Sequence, residues 1–205
     1  KLAGEKILLS HSSDFDSIIF RCPTIIDSGR LGLLAILFEF IDENRKVWLV
    51  GAGENKYQFI YAQDLIEACM KALNYNHSDV FNIGSDDVKS FKEVYKYVIQ
   101  KAHSKSRVAN LPKKPAIAAM KLAHILGISP LGPYQYKMIA ESFVFDTTKI
   151  KEKLHWQPTL TNEEMLFKSY DFYHQNRQEI EQRKNVSAHN RSAKMGVIKI
   201  LKWIS

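Results

Sequence analysis

Cysteine is nearly missing from this chain of 205 residues, which has only Cys22 and Cys69. Both sit in apolar segments with no metal-type partner nearby. That excludes a disulfide framework and predicts buried free thiols in a reducing cytoplasm. No apolar run approaches the roughly 18 residues that a membrane span needs, and no secretory leader is visible. The histidines form no i, i+4 pair, so no metal site is expected. His11, His77, His103, His155, His174 and His189 read as surface groups, and His124, on an apolar helix, as half-buried. No Ser/His/Asp motif, internal repeat or low-complexity tract occurs. The phosphate-cradling Gly-x-Gly-x-x-Gly and the P-loop are also missing. Gly51-Ala52-Gly53 is followed by an extended segment, so it cannot offer helix N–H groups to a pyrophosphate and reads as a hairpin turn.

What is present is ordinary globular material, 45% apolar and 25% charged. Lys and Arg exceed Asp and Glu by 29 to 22, giving +7. Much of that excess lies in Arg183, Lys184, Arg191, Lys194, Lys199 and Lys202, a stretch without an acid. The rest is only mildly basic and lacks Lys/Arg interleaved with aromatics, so no nucleic-acid partner is expected. The chain opens on Lys1, not Met, inside a helical pattern, and so reads as a fragment or processed product.

The apolar periodicities predict strands at 17–22, 47–50, 58–61, 80–84 and 108–111. Helices are predicted at 2–9, 31–42, 64–73, 90–103, 115–126 and 134–141, with another carrying Ile150 and Leu154. Asp64 and Asp146 read as helix caps. Ser90 with Glu93, and Thr161 with Glu164, have capping-box spacing. The second box opens a long helix through Tyr173 and beyond Ile180. Strands alternating with helices argue for a mostly parallel α/β arrangement in the first half, followed by a helix-rich lobe. A nucleotide site would lie in the cleft between the lobes.

Six segments in order resemble the extended short-chain dehydrogenase/reductases, the NAD-dependent epimerase/dehydratase family. Lys1-Leu2-Ala3-Gly4-Glu5 is similar to the stretch that follows the catalytic Tyr. Arg21-Cys22-Pro23-Thr24 resembles the Arg-x-x-Asn/Thr segment beside the nicotinamide. Val50 to Leu65 resembles the Gly-x-Gly…Phe-Val-x-Val-x-Asp-Leu signature. Phe81 to Ser85, Asp146 to Lys149, and Leu154-His155-Trp156-Gln157-Pro158 complete the series, which spans Lys1 to about Tyr173.

The resemblance implies a C-terminal portion lacking the N-terminal Rossmann half. It assigns 1–84 to the remainder of the dinucleotide-binding domain interleaved with substrate-lobe segments, and 85–175 mainly to the substrate-binding lobe. Residues 176–205 are then a basic tail with an amphipathic helix. It implies NAD or NADP as cofactor and Lys1 as catalytic residue, its ammonium lowering the pKa of a Tyr one helical turn earlier. Lys1, Cys22, Pro23 and Thr24 would face the cofactor, and Thr24, Tyr57 and Gln58 the substrate.

The implied reaction is NAD(P)-dependent epimerisation, dehydration or dehydrogenation of a nucleotide sugar or other hydroxy/keto compound, with the isolated piece inactive. Two departures bear on the substrate. Tyr57 stands where family members carry a phosphate-pairing Arg, and Thr24 where they often carry Asn. The alternative is a non-catalytic dinucleotide sensor or scaffold of the same fold. The expected partners are a small-molecule substrate and a second copy in a homodimer. In 192–205 the lysines gather on one side and Trp203 at the apolar edge. That pattern fits either a membrane surface or docking on the body or a partner subunit.

Overall fold

The computed structural model describes residues 1–129, 131–183, 187, 195–196 and 198–205. His189 and part of the amphipathic tail, including 192–194 and 197, lie outside the described residues.

Ten helices and six strands are described. The chain opens with α1 (Leu2–Ser10), β1 (Ile18–Arg21), β2 (Thr24–Ile26), α2 (Leu34–Asp42) and β3 (Val47–Val50). It continues through β4 (Phe59–Tyr61), α3 (Ala62–Ala72), β5 (Asp79–Asn82), α4 (Phe91–Lys101) and β6 (Val108–Leu111). The remainder is helical: α5 (Lys113–Ile125), α6 (Pro133–Ala140), α7 (Thr148–Leu154), α8 (Asn162–Gln175), α9 (Arg177–Gln182) and α10 (Ile198–Trp203).

Every strand pair is parallel: β1 with β5, β2 with β4, and β3 with β6. Parallel partners need crossovers, and helices such as α3 and α4 supply them. The α/β expectation holds. The hairpin expectation at Gly51-Ala52-Gly53 does not, because β3 and β4 pair with other strands. Gly51 and Gly53 do adopt φ of 74° and 75°. A glycine signal marks a left-handed backbone whether the strands it joins pair or not.

Three apolar clusters fill the interior. The largest joins Phe38 and Ile41 of α2 to Val94 and Val98 of α4 and to Leu166, Tyr170 and Tyr173 of α8. A second gathers Ile60, Ala68, Phe81, Ile83, Ile150 and Trp156. The third holds Ile26, Leu49, Tyr57, Phe59, Phe91 and Met165. Both capping boxes form, Ser90 with Glu93 and Thr161 with Glu164. Helix α2 begins at Leu34 rather than Leu31, because Gly29 and Gly32 sit at positive φ and hold the preceding residues in turns. The long C-terminal helix breaks at Asn176, whose side-chain amide donates to the Phe172 carbonyl at 2.8 Å and competes with the helical ladder.

Four further expectations are corrected. Cys22 and Cys69 are both exposed, since neither α3 nor the β1–β2 link turns its thiol inward. His124 is exposed, because α5 buries only Ala123. Asp64 does not cap α3. It lies in the first turn, buried, and binds Thr159 instead. Asp146 stands one residue before the N-cap of α7, though its carboxylate accepts the Thr148 N–H at 2.9 Å.

The tail docks on the body. Ile198 and Leu201 pack against the largest core cluster, and Lys202 pairs with Glu39 and, at 2.7 Å, with Glu43. The Trp48 indole N–H donates to Ser205 Oγ at 2.8 Å. Among the described residues no helix is long and apolar enough to cross a membrane.

Candidate active site

The β1–β2 link carries three of the expected site residues. Pro23 is buried, Thr24 is half-buried as the first residue of β2, and Cys22 is open to solvent. Helix α1 is fastened beside them by an ion pair between Glu5 and Arg21, with Arg21 Nε donating to Glu5 Oε2 at 3.1 Å. The pair joins the Lys1–Glu5 segment to the Arg21–Thr24 segment. Arg21 holds the Glu5 carboxyl below its ordinary range by hydrogen bonding. Packing around Cys22 Sγ pushes its thiol up; Cys69 adds to the rise and the charge of Lys1 opposes it. Lys1 is exposed as the N-cap of α1.

Thr24 leads inward to Tyr57. Thr24 Oγ1 lies 3.2 Å from Tyr57 Oη, which lies 2.9 Å from Tyr134 Oη. Tyr57 is 3% exposed and Tyr134 63%, so the three hydroxyls form a chain from interior to surface. The Tyr57 ring stacks on Phe91 with centroids 6.2 Å apart and on Phe143 at 5.9 Å. Burial pushes the Tyr57 phenol up to about 12; the hydrogen bond with Thr24 opposes that rise and the one with Tyr134 adds to it. Tyr57 is therefore a neutral hydrogen-bonding group near neutral pH, not a proton-transfer base.

Gln58 is held at both ends of its side chain and borders a cavity with Ser85 and Thr147. It is 1% exposed, its amide N–H donates to the Ser85 carbonyl at 2.6 Å, and its Oε1 accepts the Phe145 N–H at 2.8 Å. Both ends serve the fold, splicing β4 to the segments after β5 and before α7. The structure thus brings Lys1 near Cys22, and Thr24 near Tyr57, while Gln58 faces inward. Among the described residues no group of three His, Cys, Asp or Glu could hold a metal.

Tyr134 and Met138 escaped sequence reasoning. Both belong to α6, and Met138 Sδ sits 3.8 Å from Thr24 Oγ1. They are more than a hundred residues from Thr24 and carry no local motif. The one sequence signal nearby is Gly132-Pro133, which starts α6 with Pro in its first turn. A second feature is an apolar cavity of about 180 Å³, bordered by Leu34 and Leu37 of α2, Trp48 and Val50 of β3, Met120 of α5, Leu131, Met138 of α6, and Ile198 and Leu201 of α10.

The family model described as GDP-mannose 4,6 dehydratase matches residues 35–169, which takes in β3, β4, the Tyr57–Tyr134 pair and most of α8. The chain belongs to that family. It is a member of the NAD-dependent epimerase/dehydratases, as its ordered motifs imply. This family member is 35% identical over 179 residues to the uncharacterized protein y4nG of Sinorhizobium fredii, covering 86% of the chain and 45% of that protein. It superposes on the UDP-glucose 4-epimerase of Thermotoga maritima, solved with UDP-glucose, at TM-score 0.65 and 18% identity, covering 86% of this chain and 52% of that one. It also matches dTDP-glucose 4,6-dehydratase of Bacillus anthracis, solved with NAD, at TM-score 0.60 and 18% identity, over 87% and 51%. At those identities the structural likeness establishes the fold. The chain spans about half the length of the relatives it matches.

Proposed function

We propose that this chain is the C-terminal part of an NAD(P)-dependent enzyme that epimerises, dehydrates or oxidises a nucleotide sugar or related hydroxy/keto compound. In this reading 1–84 completes the dinucleotide-binding domain, 85–175 forms most of the substrate lobe, and 176–205 is the tail. The observation that carries it is the Glu5–Arg21 clamp, which draws the Lys1 and Thr24 segments, two separate family motifs, onto one ledge.

The residues on that ledge fit NAD or NADP. Glu5 is neutralised by Arg21, and the exposed groups are the Lys1 ammonium, the Cys22 thiol and the half-buried Thr24 hydroxyl. These suit ribose hydroxyls and a carboxamide rather than a cation. When bound, the nicotinamide supplies a hydride donor or acceptor. Lys1 holds ribose hydroxyls and lowers the pKa of a Tyr phenol one helical turn before it, so that phenol can pass a proton to or from the substrate oxygen.

Thr24, Tyr57 and Tyr134 offer neutral hydroxyls to the substrate where the family resemblance implies a cation for phosphate. This favours a substrate gripped through its own hydroxyl or carbonyl groups. Arg and carboxylate or phosphate make stronger, charge-assisted pairs, so the exchange weakens any phosphate anchor at this point.

The test uses the full-length protein with Lys1 in its natural context. Substituting Lys1→Met should lower kcat by about a hundredfold or more, the usual share of a proton-relay group. The same variant should weaken dinucleotide binding in a fluorescence titration. Unchanged turnover in K1M, or any residue but Tyr four positions upstream, would refute the relay. Dinucleotide binding without turnover on any nucleotide sugar or hydroxy/keto compound would favour the sensor alternative.

A further inference from the structure

Two segments of the chain contain no acidic residue: 113–140, which includes α5 and α6, and 182–205, which includes α10. They meet around one cavity, which Met120 of α5 and Ile198 and Leu201 of α10 all border. Each helix then carries apolar side chains on the side away from that cavity. On α5, Leu122, Ile125 and Leu126 fall within about 100° of arc, opposite Met120. All three are exposed, Ile125 at 80%. On α10, Ile200 and Trp203 lie opposite Ile198 and Leu201, and Trp203 is 85% exposed. Exposed apolar stripes on both helices are more than the scattered single apolar residues that normal surfaces tolerate.

The charges beside these stripes are all of one sign. Lys114 and Lys121 flank the α5 stripe, and Lys199 flanks that of α10. All three are exposed, and none has an ion-pair partner among the described residues. Two other helices carry exposed apolar sets, Leu2, Ile7, Leu8 and Leu9 on α1 and Ile66, Met70 and Leu73 along α3, and each has an acid beside them, Glu5 or Glu67.

We propose that α5 and α10 together form a face that seats on the surface of an anionic lipid bilayer. Leu122, Ile125, Leu126, Ile200 and Trp203 enter the headgroup boundary, and the lysines pair with lipid phosphates. Short amphipathic helices with basic flanks and an edge Trp bind in this way, by apolar insertion plus attraction to anionic lipid. A protein partner would call for some acidic groups or a mixed rim to fix register, and this face has none in either segment. The assignment is independent of the catalytic reading.

The experiment is co-sedimentation of the full-length protein with vesicles of phosphatidylcholine, alone or doped with phosphatidylglycerol. Binding to the doped vesicles that falls with added salt, with a blue shift of Trp203 emission, is the expected result. The double variant I125S/W203S should bind at least about tenfold more weakly, having lost two apolar anchors. The variant K121E/K199E, which keeps those anchors, should lose the preference for anionic lipid. L73S, on α3, should bind as the parent does, and all variants should share its far-ultraviolet dichroism. No pelleting of the parent protein, equal pelleting by I125S/W203S, or an equal loss in L73S overturns the proposal. So does a dimer that I125S/W203S disperses while no vesicle binding is seen.

Discussion

The Asp64 carboxylate holds Thr159 twice, accepting its backbone N–H at 3.0 Å and its hydroxyl at 2.6 Å. The Asp64 carbonyl also accepts the Trp156 indole N–H at 2.8 Å. One residue at the start of α3 therefore anchors the 156–159 segment that leads into α8. Asp64 and Trp156 are both buried, so the bonds have little competition from water.

Asp64→Ala should destabilise the fold by about 1–3 kcal/mol, since it removes two hydrogen bonds to a buried carboxylate, although the exposed Thr159 donors can then turn to water. Trp156→Phe removes only one donor and should cost about 1 kcal/mol plus the lost ring volume. Urea denaturation followed by dichroism measures both. A cost below about 0.5 kcal/mol for D64A, the level of an ordinary surface change, would show that Asp64 is not the anchor described.

Gly84 tests the placement of Gln58. A Cβ at Gly84 would come 2.3 Å from Gln58 Cδ, and that amide is pinned at both ends. Gly84→Ala should therefore cost about 1–3 kcal/mol by overpacking. Because Gln58→Ala removes the clashing atoms, the double variant should lose less stability than the two single variants summed. Simple additivity in a double-mutant cycle would mean that the two residues do not meet.

Arg177 ties α9 to the end of α2, with bonds of 2.6 Å to Asp42 and 2.7 Å to Glu43. Burial opposes ionisation of Asp42, yet His174 and Arg177 outweigh it and hold the carboxyl below its ordinary 3.8. Burial likewise opposes ionisation of Glu43, and Lys202 and Arg177 bring that group below 4.5. Lowered folded-state values mean stability that is present above the unfolded values and lost as pH falls through the folded ones. Arg177→Met should thus be most damaging near neutral pH. Its deficit should shrink in acid below the ordinary carboxylate values, as thermal melts across pH will show. A deficit that does not vary with pH would assign Arg177 a packing role only.

The hydroxyl chain makes a kinetic prediction in the full-length enzyme. Tyr57→Phe keeps the ring stack on Phe91 and Phe143 and removes one hydroxyl. If Tyr57 contributes binding rather than proton transfer, KM should rise several-fold with kcat nearly unchanged. A fall in kcat at constant KM would instead give the phenol a part in the chemical step.

Much of this architecture was legible in the chain because it is written locally. The capping boxes at Ser90 and Thr161 need only three-residue spacing, and the parallel strands show as short β-branched runs between helical periods. The failures share a cause. Asp64 has the residue type and position of a cap, but a partner 95 residues away claims its carboxylate. Asn176 stops a helix by a side-chain bond that periodicity does not register. At the candidate site, motif order points to Lys1, Cys22, Pro23 and Thr24, whereas Tyr134 and Met138 reach Thr24 only through the tertiary fold. The thiols were misplaced because an apolar neighbourhood in sequence does not say which way a side chain points.

The fastening of α10 has a practical corollary. Its hold on the body combines the Lys202 ion pairs and one indole bond with only partial burial of Ile198 and Leu201. Mobile ions weaken half-exposed charge pairs while leaving the aromatic interior intact. Concentrated salt should therefore loosen this wall of the cavity first, giving small apolar probes easier entry well before the molecule melts.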